Sequence, residues 1–240
     1  MKLFSYSTED YYDNGMRDYP VVIRAAYAVV LAILFVVSKA MWRCRIENVE
    51  AVSDSKGGVV LICNHTSMAE VVITVVELWR RGRRVRPLFK SEFAESAIVG
   101  WAFARVGGIV LNRGTADLKA VRRAQHALQR GEDVLIYPEG TRVRSDDQEV
   151  EMHGGFALIA TMGKAPIVPA AVVGARDITP LGKHLPRPVK VWIRAGEPVS
   201  LDDAPSGLKR REKSDWMESE SIRRMLDLRA ELLEEHPGRH

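Results

Sequence analysis

Cysteine is scarce: the 240-residue chain has two, Cys44 and Cys63. They follow neither metal-ligand nor redox spacing, and nothing in their placement implies an oxidising compartment. Cys63 lies in an apolar run and reads as a core residue. Histidine is nearly as sparse, and His65, His126, His153 and His184 show no zinc-ligand spacing, so no metal site is expected. A strong excess of one charge is also missing. Lys and Arg number 35 against 31 Asp and Glu, a net charge of +4, too small to argue for nucleic acid. The densest basic run is Arg80, Arg81, Arg83, Arg84 and Arg86. No aromatic residues interleave it, so it offers no base-stacking surface. It reads as a solvated face, and near a membrane it would favour anionic headgroups. Internal repeats are absent. What is present is apolar content of 46%, enough for a full core in one large domain or a domain with an appendage.

Long apolar runs are limited to one. Residues 1–19 are polar, rich in Tyr and Asp, and read as loosely packed. Pro20 then opens a helix whose apolar stretch runs from Ala25 to Val37. That stretch is shorter than the ~20 residues that span a bilayer comfortably, and with Arg24 snorkelling it would span only marginally. The acids before it and the lack of a cleavage-like site argue against a signal peptide. A hydrophobic helix lying in or along one leaflet is expected, with Trp42 at the interface and Arg43 and Arg45 among headgroups. The alternative is a buried core helix at the domain edge.

From residue 46 onward the pattern alternates. Val59–Cys63, Val85–Phe89, Ile109–Leu111, Asp133–Tyr137, Ile167–Val173 and Val189–Ala195 read as strands. Helical stretches are expected over 67–82, 95–106, 116–130 and 155–162. This predicts an α/β domain with a largely parallel central sheet flanked by helices, preceded by the hydrophobic membrane-associated helix. The expected division is 1–45 for the polar N-terminus and that helix, 46–205 for the α/β domain, and 206–240 for a charged linker and a C-terminal amphipathic helix. On that last helix Ile222, Met225, Leu226, Arg229, Leu232 and Leu233 form a stripe suited to docking on the core.

One short polar run stands out, Asn64-His65-Thr66-Ser67-Met68-Ala69-Glu70. A histidine beside a carboxylate is the usual general base near neutral pH. On one continuous helix, five positions would set the side chains about 140° apart. The two meet only if the helix begins between them, with Ser67 as N-cap and Glu70 at the third helical position, turned back toward the loop. The same Ser67-x-x-Glu70 pattern is also an ordinary capping box, with His65 solvated nearby. Both readings stand at this point.

Functional loops in such sheets lie beyond the carboxyl ends of the strands. Polar groups collect there at Asn64-His65, at Lys90, at Asn112-Arg113-Gly114, and at Pro138-Glu139-Gly140-Thr141-Arg142. Lys90, Arg113 and Arg142 suit a shared anion, and the glycines permit close backbone approach. Glu139 suits holding an arginine or accepting a ligand hydroxyl. The competing assignments are local: Arg113 paired with Asp117, and Glu139 paired with Arg142.

Taken together, Asn64-His65-x4-Glu70, Gly108-Ile109-Val110-Leu111-Asn112-Arg113, Tyr137-Pro138-Glu139-Gly140-Thr141-Arg142 and Ala165-Pro166-Ile167-Val168-Pro169 resemble the motifs of the glycerolipid acyltransferase family. They occur in the family's order over roughly residues 55–175. The resemblance implies transfer of a fatty acyl group from acyl-CoA or an acyl-carrier protein to a lysophospholipid hydroxyl, lysophosphatidic acid above all. It implies membrane lipids as partners, a place on the cytoplasmic face of a membrane, and no cofactor or metal. By the motif match His65 is the base and Glu70 its orienting acid. Arg113, Glu139 and Arg142 fall on acceptor-binding positions with Gly140 and Thr141 of the same block, and Lys90 joins them around the phosphate. One position departs: the family usually has aspartate where this chain has Glu70. The added methylene moves the carboxylate by ~1.5 Å. Either the longer arm reaches His65 directly, or the helix starts further away, or the site is degraded and the chain binds lipid without turning it over. Another glycerolipid or glycolipid acceptor is the remaining alternative.

Overall fold

The computed structural model describes residues 6–112, 117–145, 147–183 and 185–237. A short helix α1 (Thr8–Asp13) precedes the long apolar helix α2 (Val21–Trp42). Then follow β1 (Arg45–Glu47), α3 (Glu50–Ser53), β2 (Val60–Cys63), α4 (Met68–Trp79), β3 (Val85–Lys90), α5 (Ser91–Ala94), α6 (Ala97–Arg105), β4 (Ile109–Leu111), α7 (Leu118–Gln129), β5 (Asp133–Ile136), α8 (Gly155–Gly163), β6 (Ile167–Val173), β7 (Trp192–Ala195) and α9 (Arg210–Glu235). The strands form one sheet in the order β1-β7-β6-β2-β5-β3-β4. Every pairing is parallel except β6 with β7. The expected largely parallel α/β sheet is therefore present.

Buried strands explain the apolar runs. All residues of β2 and β6 are buried, as a central parallel strand with helices on both faces requires. Alternation sorts their side chains. Leu61 and Cys63 point into the core under α2 and α4, while Val60 and Ile62 point under α7, α8 and α9. Chain direction reverses around β2: the route goes outward through β3 and β4, returns to β5, then crosses to β6 on the other side. That switch leaves a crevice at the carboxyl ends of β2, β5 and β3.

Four features differ from the sequence expectation. The N-terminal segment is tightly packed: Tyr11, Tyr12, Met16 and Tyr19 are buried, Arg123 pairs with Asp13 at 2.7 Å, and the Glu132 carboxylate accepts the Met16 amide at 2.5 Å. Its tyrosines supply the apolar area and distant charges satisfy its polar groups. The Arg80–Arg86 run is only partly a solvated face. Arg86 is fully buried on Glu132, Arg83 is paired with Asp133, Arg81 with Glu77, and Arg80 lies over the Phe35 ring. Trp42 packs into the core instead of sitting at an interface. The last helix begins at Arg210, inside the 206–212 stretch expected as a charged linker, where the Glu212 carboxylate caps the Lys209 amide at 2.6 Å. It docks through Met217, Met225 and Leu232, although Leu226 of the expected stripe stays exposed.

Helix α2 lies along α4. Leu31, Ser38 and Trp42 are its buried positions. The Lys39 ammonium reaches the buried Glu77 carboxylate at 2.5 Å. Its far side exposes Val22, Val29, Ile33 and Val36.

Candidate active site

Strand β2 delivers Asn64 and His65 to the crevice. Asn64 is fully buried, and its side chain clamps β6 by accepting the Val172 amide at 2.7 Å and donating to the Val172 carbonyl at 2.9 Å. The chain then turns, and α4 starts at Met68 with Ser67 as N-cap, its hydroxyl accepting the Ala69 amide at 3.2 Å. Glu70 is the third residue of the helix and turns back. Its Oε1 lies 2.6 Å from His65 Nδ1 and accepts the Thr66 amide at 2.7 Å, while Oε2 accepts the Thr66 hydroxyl at 2.8 Å. Ser67 alone caps the helix: the Glu70 carboxylate goes to His65 and Thr66 instead of the Ser67 amide, so the capping box does not form. A buried carboxylate needs such partners. With Nδ1–H directed at Glu70, the lone pair of His65 is on Nε2.

Strand β5 delivers the second loop. Its turn needs Gly140, whose φ of 60° is costly for a side-chain-bearing residue. The loop holds His65 by its backbone. The Glu139 carboxylate accepts the His65 amide at 2.6 Å, and the Val143 amide donates to the His65 carbonyl at 2.7 Å. The Tyr137 ring stacks on the imidazole, centroids 4.2 Å apart. Sequence reasoning missed these supporting roles of Asn64, Tyr137 and Glu139. Only the short polar residues at the strand ends signalled them.

A cavity of about 170 Å³ opens beside His65. Met68, Val71, Phe89, Phe93, Phe103 and Leu111 give it an apolar wall, and Lys90, Thr141 and Arg142 give it a polar side. Gly108 allows this wall to close up, because a Cβ there would stand 2.5 Å from the Phe89 ring. Of the expected site residues, His65, Lys90, Gly140, Thr141 and Arg142 line the cavity. Glu70 sits behind His65. Glu139 faces inward to the His65 amide instead of the cavity. Arg113 and Gly114 lie outside the described residues. Asp117 caps α7 and accepts the Asn112 and Ala120 amides at 2.9 and 3.0 Å. Among the described residues, no group of three or more His, Cys, Asp or Glu is placed to hold a metal ion.

Electrostatics separate the groups. Burial pushes the Cys63 thiol well up, with Glu70 and Glu139 adding to it, so this thiol is not an available nucleophile. Burial also lowers the Arg142 pKa, and repulsion from Arg144 adds to that, although it remains a cation. Glu139 is pushed up to about 7, chiefly by burial, against the His65 hydrogen bond. The folded state therefore holds this proton at pH values where the unfolded chain has lost it. Stability from this group is present near pH 4.5 and is lost as pH rises through about 7. Glu139→Gln is expected to remove a pH-dependent loss on the order of 3 kcal/mol. Urea unfolding at several pH values between mildly acidic and mildly basic buffer checks it. An unchanged slope in the variant would assign the loss to another group.

Comparisons with known proteins place the fold and the family. A family model described as Acyltransferase matches residues 43–173. The 1-acyl-sn-glycerol-3-phosphate acyltransferase of Bacillus subtilis is 29% identical over 146 residues, covering 61% of this chain and 69% of that protein. The chloroplastic 1-acyl-sn-glycerol-3-phosphate acyltransferase LPAT1 of Arabidopsis thaliana is 27% identical over 145 residues, 60% of this chain but 39% of that protein. A lyso-ornithine lipid O-acyltransferase of Pseudomonas aeruginosa is 29% identical over 94 residues, 39% of this chain and 36% of that protein. The crystal structure of the 1-acyl-sn-glycerophosphate (LPA) acyltransferase PlsC from Thermotoga maritima shares the fold, with a TM-score of 0.61 at 22% identity over 85% of this chain and 82% of that one. With more than half of its length matched by the family model, the chain belongs to the acyltransferase family.

Proposed function

We propose that this chain transfers a fatty acyl group from acyl-CoA or acyl-carrier protein to a hydroxyl of lysophosphatidic acid, in phospholipid synthesis at a membrane surface. The observation that carries the reading is the His65 Nδ1–Glu70 contact of 2.6 Å at the edge of a cavity with an apolar wall and cations on its polar side. His65 Nε2 takes the proton of the acceptor hydroxyl as that oxygen attacks the thioester carbonyl. Glu70 stabilises the imidazolium, as the acid of a serine-protease triad does. The tetrahedral intermediate collapses, the C–S bond breaks, and the imidazolium returns its proton to the departing thiolate. The acceptor oxygen replaces a serine, so no acyl-enzyme forms. The apolar wall suits an acyl chain, and Lys90 and Arg142, with Arg113 by motif, suit the acceptor phosphate.

Helix α2 then lies along one leaflet. It stays docked on α4 by its buried side, and its exposed valines and Ile33 face lipid. The two free cysteines fit the cytoplasmic face.

Thiol release from acyl-CoA, with lysophosphatidic acid compared against glycerol 3-phosphate, tests the reading. Lysophosphatidic acid is expected to drive release. The lyso-ornithine lipid relative motivates a second acceptor arm, and preference for a phosphate-free lysolipid would replace the acceptor assigned here. Arg142→Ala is expected to raise KM for lysophosphatidic acid roughly 10- to 100-fold, since hydrogen bonds to charged groups contribute about 1.5–3 kcal/mol. KM for acyl-CoA should hold. An unchanged acceptor dependence would remove Arg142 from the phosphate site.

A further inference from the structure

We propose that α6 is a second lipid-contacting surface, continuous with the outer side of α2, and that it holds the mouth of the acyl cavity against the bilayer. The inference rests on the lipid substrates assigned above and names a surface that those substrates alone do not.

Topology places the two helices on one side. The crossover from β2 to β3 through α4 and that from β3 to β4 through α5 and α6 both advance toward the β4 edge. Right-handed crossovers in one direction fall on one face of a parallel sheet. Helix α2 packs on α4 over that same face, and its Ile23 and Tyr27 join one cluster with Ala104 of α6, Phe89 and Val110. The outward sides of α2 and α6 therefore address the same surroundings.

The outward side of α6 is apolar around Ile98, and Ala97 and Trp101 also border a groove that holds Glu9, Asp117 and Lys119. Ile98 is 81% exposed and Trp101 55% exposed. Ala97 and Ala102 are exposed beside them. Phe93, at the preceding turn, is 42% exposed and also lines the cavity, as does Phe103 from α6. The apolar surface thus runs from α6 into the cavity wall. Isolated exposed apolar residues are ordinary, whereas a contiguous group at a cavity mouth is a contact surface. Arg105 closes the patch with its guanidinium 4.1 Å from the Trp101 ring centroid, an aromatic–cation pairing suited to the headgroup boundary. Exposed Glu92 and Glu95 stand on the neighbouring turn, which favours a shallow contact through α6 over deep insertion. An acyl chain moving between bilayer and cavity along Phe93 and Phe103 would not cross open water.

The native cysteines are buried, so a single introduced thiol can be labelled selectively. The full chain carrying Ile98→Cys with an environment-sensitive fluorophore is mixed with phosphatidylcholine–phosphatidylglycerol vesicles. A blue shift and quenching by a spin-labelled lipid are expected, and Ser219→Cys on α9, across the sheet, is expected to show neither. A water-like signal at position 98 in vesicle-bound protein, or failure of the chain to bind vesicles, would overturn the proposal. In parallel, the double variant Ile98→Glu/Trp101→Glu is expected to lose about tenfold or more in turnover of a vesicle-embedded acceptor. It should stay within about twofold of the parent on a water-soluble short-chain donor and acceptor, since neither residue lines the cavity. Equal loss on both substrates would make α6 a structural support only. Lipid contact at position 98 without turnover in any form would leave the surface standing and defeat the acyltransfer reading instead.

Discussion

Replacing His65 with alanine is expected to lower kcat for acyl transfer by roughly 10²–10⁴-fold, the usual contribution of a general base, while the chain stays folded. The fold does not depend on the imidazole. The loop is held through the His65 backbone by Glu139 and Val143. Glu70 keeps both of its bonds to Thr66 when the ring is gone. The losses are the Nδ1 contact and the Tyr137 stack, together about 1–2 kcal/mol of stability. Thiol-release kinetics and a thermal melt on the same preparation separate the two effects. Normal turnover by the folded variant would defeat the mechanism.

Glu70 gives the second large effect. Glu70→Gln keeps the shape and leaves Thr66 with partners, but removes the charge that stabilises imidazolium. A loss of roughly 10²–10⁴-fold in kcat is expected, in line with the amide replacement of the triad acid in serine proteases. Glu70→Asp keeps the charge and supplies the residue usual in the family. Its carboxylate falls short by ~1.5 Å on this backbone, so it should retain part of the activity, within about tenfold of the parent if the loop follows. The pair of variants isolates charge from reach. Equal, full activity in both would remove the carboxylate from the chemistry, and a dead Asp variant beside a live Gln variant would reverse the account.

The same geometry shows how a glutamate reaches the histidine where aspartate is usual. At the third helical position its longer arm reaches His65 Nδ1 at 2.6 Å without displacing the Ser67 cap. The outcome in which the helix starts further away is not needed.

Local signals were legible and distant ones were not. The His65–Glu70 meeting follows from a cap residue and a three-residue offset, both within one turn of chain. The central strands follow from apolar runs that only a doubly covered sheet can bury. By contrast, the packed N-terminal segment depends on the Met16–Glu132 hydrogen bond, 116 positions apart. The arginine run depends on Asp133 and Glu132, acids that its own segment does not contain. Trp42 reads as an interfacial anchor beside an apolar helix, yet α2 packs along α4 and carries it into the core. Glu139 reads as a ligand contact because it sits in a polar strand-end loop. Its inward turn to the His65 amide depends on β2 and β5 being neighbours in register, which no local pattern encodes.

The most direct measurement of the central claim is acceptor-dependent thiol release. The full chain on vesicles is given long-chain acyl-CoA with and without lysophosphatidic acid, and free thiol is followed from the first turnover. Direct transfer by the His65–Glu70 pair predicts release only when lysophosphatidic acid is present, no burst in its absence, and loss of release in His65→Ala. A stoichiometric burst without acceptor, or full release by folded His65→Ala, would contradict it.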